Sequence, residues 1–373
     1  RGLRPSRKNG HPREVIVKMA GPQHNAMMRT GSNQSVISRR AFLGAVAGAC
    51  TAPWLTPALE AQTGYADRFQ IDGGLVVVPA KGKMYVASDF HARWGQFREW
   101  MEKTDLVARL KGDADAYGLI LGDAVDFKQG DREADADGDA KIIDRIRELQ
   151  GTLGEAGKRL IYILGNHDYE ATKYYEVMKA RMQAGRTRMQ ALEEMYAAGI
   201  NVLQYNFLAR ITEEQQQYLL KVPVAVLCKN GVFAVHAGPA QNLKGIGDIV
   251  QRRPEVVERL VWGRPTMEST KELTAGATTL PADAWNGLYA EADVAPFLKL
   301  MENSGLMISG HNPHGLFPKT MMHDGLAEYG QHQVILATSM GALADGRRHL
   351  VIDLGRRYGS VKDLVMGREI QKL

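Results

Sequence analysis

Five short segments, spread along the chain, each place polar side chains directly after a run of apolar residues. A short apolar run that stops at Gly, Asn or Asp is typical of a buried strand. Open α/β sheets place their binding sites in the crevice at the carboxyl ends of such strands. Because all five segments carry their polar residues at that end, we expect these residues to meet at one edge of a sheet. In chain order the segments read VASDFHA, LILGDAVD, IYILGNHD, VFAVHAG and MISGHNPH.

The polar residues of these segments are Asp, Asn and His, whose oxygen and nitrogen atoms suit divalent ions such as Mn, Fe or Zn. Two ions about 3.5–4 Å apart need a shared carboxylate, and Asp123 is placed as that bridge. Asp89 and His91 alternate on one strand end, so both can face the first ion. The remaining candidate ligands, for the second ion, are Asn166, His236 and His311.

His167 directly follows Asn166, so its side chain is expected to point in a different direction from that of Asn166. This suits a residue that is not a metal ligand. Close to two metal ions and a phosphate group, it would act as general acid for the leaving-group oxygen. Asp126 would fix its tautomer and raise its basicity. The nucleophile would be a hydroxide that bridges the two ions, since the ions depress its pKa. Glycines at 122, 165, 238 and 310 would permit the sharp turns that leave the strands.

The first 61 residues have the organisation of an export signal. They contain nine Lys and Arg residues but only two Glu. Two of the nine form a twin-arginine pair, Arg39-Arg40, within the sequence Ser-Arg-Arg-Ala-Phe-Leu. A weakly apolar run, Gly44–Pro57, and a small residue at Ala61 follow. We therefore expect a twin-arginine signal over residues 1–61, a bacterial periplasmic or secreted location, and contact with the twin-arginine export machinery. An arginine pair in front of a buried helix is the alternative interpretation.

Charge and cysteine content exclude several classes of protein. The formal net charge is +5, but residues 62–373 carry 38 basic and 40 acidic side chains, so that part is not a general nucleic-acid binder. The apolar run of the leader is too short for a membrane span, and we expect no stable membrane insertion. Cys50 lies in the leader, which leaves Cys228 without an internal disulfide partner.

From about residue 67 onward, strand and helix patterns alternate. No repeat or low-complexity linker divides this part, and we expect one domain over residues 67–373, built as a two-sheet sandwich with helices outside. Lys229-Asn230-Gly231 predicts a hairpin turn, and Thr212 begins a helix-capping pattern. The expected helices are Arg93–Leu110, Lys141–Leu149, Glu170–Ala198, Thr212–Leu220 and Val294–Asn303.

The chain resembles the calcineurin-like metallophosphoesterase superfamily in five motifs, which are Asp-x-His, Gly-Asp-x-x-Asp, Gly-Asn-His-Asp, His-Ala-Gly and Gly-His. The chain is also similar to the phosphoprotein-phosphatase branch of this superfamily, which includes bacterial phage-type and Shewanella-like members. The similarity lies in the order of three segments, Thr212–Leu220, Val235–Gly238 and Val261–Arg264. The resemblance covers about residues 83–340. It implies an α/β fold, a four-layer αββα sandwich of two mixed sheets with the metal site at the strand ends. It also implies direct hydrolysis of phosphate esters without a phosphoenzyme.

By position, the resemblance implies that Arg264 grips the phosphate, beside the ligands and the acid given above. Three residues depart from the pattern of the branch: Ala92 replaces Gly, Phe127 replaces an Arg, and Asp168 replaces Glu. Losing one phosphate-binding arginine weakens the expectation of a typical phosphoserine or phosphothreonine phosphatase. Lys128 and Arg93 are the residues that could compensate.

The role of His314 has two interpretations: it is either a ligand of the first ion or a structural residue next to the ligands. The predicted function is that of an exported two-metal phosphomonoesterase, with phosphorylated protein or peptide as its substrate by resemblance. The alternatives are a nucleotide or dinucleoside-polyphosphate hydrolase with the same metal centre, and a periplasmic metal-binding protein without turnover. An intact His167 speaks against the last, because a binding protein has no use for a leaving-group acid.

Overall fold

The computed structural model describes residues 64–127, 131–198, 205–267 and 287–373. The leader and Lys128 lie outside the described residues. The described strands, in chain order, are β1 (Gln70–Asp72), β2 (Leu75–Val78), β3 (Lys83–Ala87), β4 (Ala116–Ile120), β5 (Leu160–Tyr162), β6 (Ala225–Cys228), β7 (Val232–Val235), β8 (Arg264–Pro265), β9 (Leu288–Tyr289), β10 (Leu306–Ser309), β11 (Met322–His323), β12 (Leu326–Tyr329), β13 (Gln333–Ile335), β14 (Arg348–Asp353) and β15 (Ile370–Lys372).

These strands form two large mixed sheets and one small one. The first large sheet has the order β15-β14-β3-β4-β5, in which β3, β4 and β5 are parallel. The second has the order β1-β2-β6-β7-β10-β13-β12-β11, in which β7, β10 and β13 are parallel and β6 and β7 form the expected antiparallel hairpin. β8 and β9 pair separately.

The described helices are α1 (Trp94–Lys103), α2 (Leu106–Gly112), α3 (Gly138–Thr152), α4 (Asn166–Gln183), α5 (Arg188–Ala197), α6 (Tyr205–Arg210), α7 (Glu213–Lys221), α8 (Ile246–Val250), α9 (Pro254–Trp262) and α10 (Glu291–Leu300). α7 begins at the predicted cap, since Thr212 accepts a hydrogen bond from Gln215 N–H and Gln215 bonds back to the Thr212 N–H. None of the described helices combines the length and apolar character needed to cross a bilayer.

Two apolar clusters define the layers. Val76 and Val78 of β2 pack in one cluster with Met84 and Val86 of β3, so this cluster fills the space between the two sheets. Leu75 and Val77 point to the opposite face, as successive strand residues must, and belong to the cluster that includes the helices. This arrangement confirms the predicted α/β sandwich with helices outside two mixed sheets.

Two of the expected helices are divided. The expected helix Arg93–Leu110 is interrupted between α1 and α2, where Asp105 is left-handed with φ 48°. The expected helix Glu170–Ala198 is interrupted between α4 and α5, where Gly185 has φ 89°. A left-handed residue after a helix ends its hydrogen-bond ladder, and the apolar periodicity on both sides does not reveal such a break.

Candidate metal centre and its surroundings

The predicted site residues follow the ends of five strands that belong to both large sheets. β3, β4 and β5 of the first sheet precede Asp89, Asp123 and Asn166, whereas β7 and β10 of the second precede His236 and His311. The two sheets are joined here by reciprocal hydrogen bonds between Ser88 and Thr338, at 3.0 and 3.3 Å. The site therefore lies where the ends of two packed sheets meet.

Asp123 lies at the centre of the cluster. Its Oδ2 atom is 3.5 Å from Nε2 of His91 and 3.3 Å from Nε2 of His236. Two groups of donor atoms share this carboxylate, and within each group the atoms lie within 4.8 Å of one another. This is the arrangement that a carboxylate shared by two cations requires. The second group contains His236 and His311, as predicted, whereas the first contains His91 and the predicted acid His167. The predicted ligand Asp89 lies outside the first group, with its Oδ1 atom 4.0 Å from Nε2 of His91.

Asn166 completes the second group. Its Oδ1 atom lies 3.0 Å from Nε2 of His236 and 2.9 Å from Nδ1 of His311. Metal bonds of about 2.0–2.2 Å place neighbouring donor atoms about 3.0–3.5 Å apart. The spacing among Asn166, His236 and Asp123 therefore fits the coordination shell of one divalent ion.

Two of the histidines are held in the tautomer that a metal ligand needs. Nδ1 of His91 lies 3.1 Å from the Val125 carbonyl oxygen, and Nδ1 of His236 lies 2.6 Å from that of Leu121. A carbonyl oxygen only accepts, so each Nδ1 carries a proton, and in the neutral imidazole each Nε2 presents its lone pair towards Asp123. Hydrogen bonds of this kind orient ligating imidazoles and raise their basicity.

Asp89 shows why the cluster suits a cation. Its side chain is buried, and the His311 backbone N–H donates to its two oxygens at 3.1 and 3.2 Å. Burial raises the pKa of Asp89 to about 7, His236 opposes that rise, and the carboxylate of Asp123 adds to it. A divalent ion between the two carboxylates would hold both in their ionised form, so the donor set fits a metal centre.

The backbone of the strand exits is unusual. Asp89, His91, Asp123, Asp126 and His311 all have left-handed φ angles, between 42° and 79°. This conformation costs roughly 1–2 kcal/mol for a residue with a Cβ atom. Its concentration at the predicted ligands indicates that the fold maintains strain in order to turn these side chains towards one another.

Ala92 belongs to the same stretch, with φ 63°. The left-handed angle gives the physical reason why the related pattern has Gly at this position. Ala92 also accepts hydrogen bonds at its carbonyl oxygen from the N–H groups of Trp94 and Asp135, which hold the strained segment in place.

The glycines at the strand exits are required for a different reason than predicted. Only Gly122, with φ 91°, is left-handed. A Cβ atom on Gly165 would overlap Oδ1 of Asp123, and one on Gly310 would overlap Oδ2 of Asp89. At these two positions the absence of a side chain makes room for predicted ligands rather than allowing a special turn.

His167 has the geometry of a proton donor beside the cluster. Its Nδ1 atom is 3.0 Å from Oδ2 of Asp126, and its Nε2 atom is 4.0 Å from Oδ2 of Asp123. Its backbone N–H donates to Oδ1 of Asp123 at 3.0 Å. The side chain is 13% exposed, so part of the imidazole is accessible next to the cluster.

Arg264, the predicted phosphate-binding arginine, is half-buried on β8, and its Nη1 donates to Oδ1 of Asn312 at 2.9 Å. Burial lowers the pKa of Arg264 to about 10, an effect that the nearby Asp123 and Asp89 carboxylates oppose. The guanidinium therefore stays charged at neutral pH and lies in the electrostatic field of the cluster.

Arg93, one of the two residues expected to replace the missing arginine, is engaged elsewhere. Its Nε is 2.8 Å from Oδ2 of Asp131, and its Nη1 is 2.8 Å from Oε2 of Glu133 and 3.3 Å from the Ser339 carbonyl oxygen. Because two carboxylates balance its charge, the geometry does not support a phosphate-binding role for Arg93. The other residue, Lys128, lies outside the described residues.

His314 is buried, and its Nε2 lies 3.0 Å from the carbonyl oxygen of Ile335, the last residue of β13. It belongs to neither of the two donor groups found among the described residues. Among the described residues, no recorded contact joins His314 to a predicted ligand, which favours the structural interpretation of His314 over metal ligation.

Two residues beside the site have roles that the sequence did not reveal. The Oδ2 atom of Asp168 accepts hydrogen bonds from the backbone N–H groups of Asp123 and Gly165, both at 2.9 Å. Asp168 is the third residue of α4, where an acidic side chain can bond back to the residue before the helix, and that position is a signal in the sequence. Asn312, the partner of Arg264, gives no comparable signal.

A model of the family described as calcineurin-like phosphoesterase matches residues 82–315, which is more than half of the chain. The chain belongs to the calcineurin-like phosphoesterase family. The predicted class of protein is thereby confirmed: this phosphoesterase is a hydrolase of phosphoric ester bonds, and its His and Asp groups can hold metal ions.

Several solved structures are similar to this phosphoesterase. A candidate diadenosine tetraphosphatase is 17% identical, over 76% of this chain and 95% of its own, with a TM-score of 0.42. A Saccharomyces cerevisiae protein serine/threonine phosphatase is 13% identical, over 73% of each chain, with a TM-score of 0.44. A cold-active protein tyrosine phosphatase of Shewanella is 15% identical, over 77% of this chain and 79% of its own, with a TM-score of 0.41. A search of curated proteins finds no match.

Proposed function

We propose that this phosphoesterase is a two-metal phosphomonoesterase whose substrates are phosphorylated proteins or peptides. The observation that carries the proposal is the pairing of His167 with Asp126, at 3.0 Å, directly beside the shared carboxylate of Asp123. A metal-binding protein without turnover has no need of an imidazole held by a carboxylate at the edge of its site. Release of an alcohol or phenol from a phosphate ester does need one, because the leaving oxygen must be protonated.

In the proposed reaction, Asp89, His91 and Asp123 would hold one divalent ion, and Asp123, Asn166, His236 and His311 would hold the other. When bound, these ions of Mn, Fe, Zn or a mixture polarise the phosphoryl group and lower the pKa of the attacking water. Arg264 binds the phosphoryl oxygens through its guanidinium.

The proton on Nε2 of His167 passes to the leaving-group oxygen. Asp126 keeps the Nδ1–H in place and stabilises the imidazolium before that transfer. This proton transfer requires Nε2 of His167 to face the site. The distance of 4.0 Å from this atom to Oδ2 of Asp123 agrees with that requirement.

The test is hydrolysis of p-nitrophenyl phosphate by Mn-loaded protein, compared with an Asn166→Ala variant. We expect turnover by the native chain and a large loss in the variant, together with loss of metal. If both proteins retain metal and are equally inactive, the non-catalytic alternative is correct. A parallel panel of a phosphotyrosine peptide, a nucleotide and a dinucleoside polyphosphate decides the substrate class, and a preference for the nucleotides would contradict the phosphoprotein assignment.

We also propose that the chain is exported through the twin-arginine pathway, on the evidence of Arg39-Arg40 and the residues around it. This pathway carries folded proteins, which would allow the metal site to load in the cytoplasm. Replacing both arginines by lysine should leave the precursor in the cytoplasm. Normal delivery of the Arg39→Lys/Arg40→Lys variant to the periplasm would contradict the export proposal without affecting the proposed chemistry.

A further inference from the structure

Asn312 is a buried amide that directly contacts the predicted phosphate-binding arginine. Its side chain is 2% exposed, and its Oδ1 atom accepts a hydrogen bond from Nη1 of Arg264 at 2.9 Å. A guanidinium only donates hydrogen bonds, so the oxygen of the amide must face Arg264. The orientation of the amide follows from its chemistry, and its Nδ2 group must point away from the guanidinium nitrogen.

The Nδ2 group of Asn312 is buried and has no hydrogen-bond partner within the described parts of the chain. Buried side-chain donors are nearly always bonded, and an exception requires an explanation. An oxygen of a phosphate group held by Arg264 would supply the missing acceptor. Such an anion would be bound by two different donors, one charged and one neutral.

The backbone holds Asn312 rigidly beside the metal cluster. Its N–H donates to the carbonyl oxygen of Gly310 at 2.7 Å, which closes a tight turn. The preceding N–H, of His311, donates to the carboxylate of Asp89. Because the turn contains His311 and is bonded to Asp89, both predicted metal ligands, the amide has a fixed position relative to the cluster.

The chemical type of the partner also matters. Arg93 contacts two carboxylates, Asp131 and Glu133, which balance its charge. Asn312 contacts the guanidinium of Arg264 with a neutral amide oxygen. A neutral acceptor can orient a guanidinium without placing a further negative charge beside it.

We propose that Asn312 and Arg264 form a phosphate-binding pair, in which Asn312 orients the guanidinium and its Nδ2 group donates to the same phosphate. The pair compensates for Phe127, which stands where related proteins carry a second arginine. This inference rests on the proposed function, because it assigns the substrate's phosphate to a place beside the metal cluster.

The test measures binding of inorganic phosphate to Mn-loaded protein by calorimetry, for the variants Asn312→Ala, Arg264→Ala and the double variant. We expect Asn312→Ala to weaken phosphate binding by about tenfold. In the Arg264→Ala background the same change should have a clearly smaller effect, because part of its action passes through Arg264. With p-nitrophenyl phosphate, KM should rise more than kcat falls.

Two further variants make the result specific. Asn312→Asp keeps the shape and the acceptor but loses the donor and adds a negative charge, so it should weaken phosphate binding more than Asn312→Ala. Asn230→Ala is the matched control: Asn230 is also buried, and its Nδ2 bonds the carbonyl oxygens of Asp353 and Arg356. This control should reduce stability without changing phosphate affinity.

The proposal is wrong if Asn312→Ala and Asn312→Asp bind phosphate as tightly as the native chain. It is also wrong if the effect of Asn312→Ala is the same with and without Arg264, or if both Asn312 variants lose Mn, since Asn312 would then support the metal site instead. Phosphate binding does not require turnover. Native protein that binds phosphate but hydrolyses no ester would contradict the proposed function and leave the pair to be judged by its binding data.

Discussion

The carboxylate of Asp168 holds the backbone of Asp123: its Oδ2 atom accepts the Asp123 N–H at 2.9 Å. The same oxygen accepts the N–H of Gly165, so one buried side chain connects the end of β4 to the start of α4. These two segments carry the shared carboxylate, the amide ligand and the proposed acid. Asp168 therefore positions the segments that carry the proposed ligands and the proposed acid.

The first prediction concerns this connection. Asp168→Ala leaves two buried N–H groups without an acceptor, each at a cost of about 1–3 kcal/mol. We expect the free energy of unfolding to fall by about 2–5 kcal/mol and the affinity for Mn to fall as well, as measured by urea denaturation and by metal titration.

Asp168→Asn retains one acceptor oxygen and should have a smaller effect on both quantities. Asp113→Ala is the control, because Asp113 is exposed and its Oδ1 accepts only the Asp115 N–H on the surface. Equal losses in Asp168→Ala and Asp113→Ala would show that Asp168 has no special positioning role.

A second prediction follows from the lack of a side chain at Gly165. A Cβ atom there would overlap Oδ1 of Asp123, and the overlap can only be relieved by moving the carboxylate or the backbone beside it. Gly165→Ala should weaken Mn binding by about 10–100-fold.

The matched control for this substitution is Gly151→Ala, in α3, where a Cβ atom would meet no other atom within 4 Å. That change should leave metal binding unaltered and stabilise the helix by up to about 1 kcal/mol. Metal content by elemental analysis and unfolding by urea distinguish the two variants. Full metal content in Gly165→Ala would argue against a bridging Asp123.

The third prediction concerns the general acid. His167→Ala should lower kcat by about 10²–10⁴-fold while metal content stays unchanged, because in the proposed mechanism the imidazole donates a proton and does not hold an ion. His332→Ala is a suitable control, since His332 contacts the Gly305 carbonyl oxygen away from the cluster. Unchanged turnover of His167→Ala would remove this residue from the mechanism, and loss of metal would make it a ligand instead.

Much of the site could be predicted from the sequence because its residues follow strands in a regular way. An apolar run identifies a buried strand, and parallel strands end at one edge of a sheet, so the convergence of Asp89, Asp123 and Asn166 required no knowledge of distant contacts. The alternation of strands and helices likewise predicted the layered fold. The boundaries of the elements differ from the expected ones: the expected helix Lys141–Leu149 extends over Gly138–Thr152 in the structure.

The rest depends on contacts between segments that are far apart in the chain. The bond from Arg264 to Asn312 spans 48 positions, and no local pattern marks Asn312. The need for glycine at 165 and 310 arises from the approach of Asp123 and Asp89, which a spacing rule cannot show. The pairing of Arg93 with Asp131 and Glu133 is also a contact between positions 38 or more residues apart, which no local pattern indicates.

The fourth prediction is that His349 causes the protein to lose stability in mild acid. His349 is buried on β14, and burial, together with the nearby Lys103, lowers its pKa from 6.5 to about 4. The folded state therefore favours the neutral imidazole, whereas the unfolded chain takes up a proton below about pH 6.5. The contribution of the neutral His349 to the free energy of unfolding is intact above pH 6.5 and is lost as the pH falls towards 4. Between pH 7 and pH 4.5 the native chain should lose about 2 kcal/mol more than a His349→Gln variant. Urea denaturation at the two pH values measures the difference, and identical pH dependence in both proteins would show that His349 is not responsible.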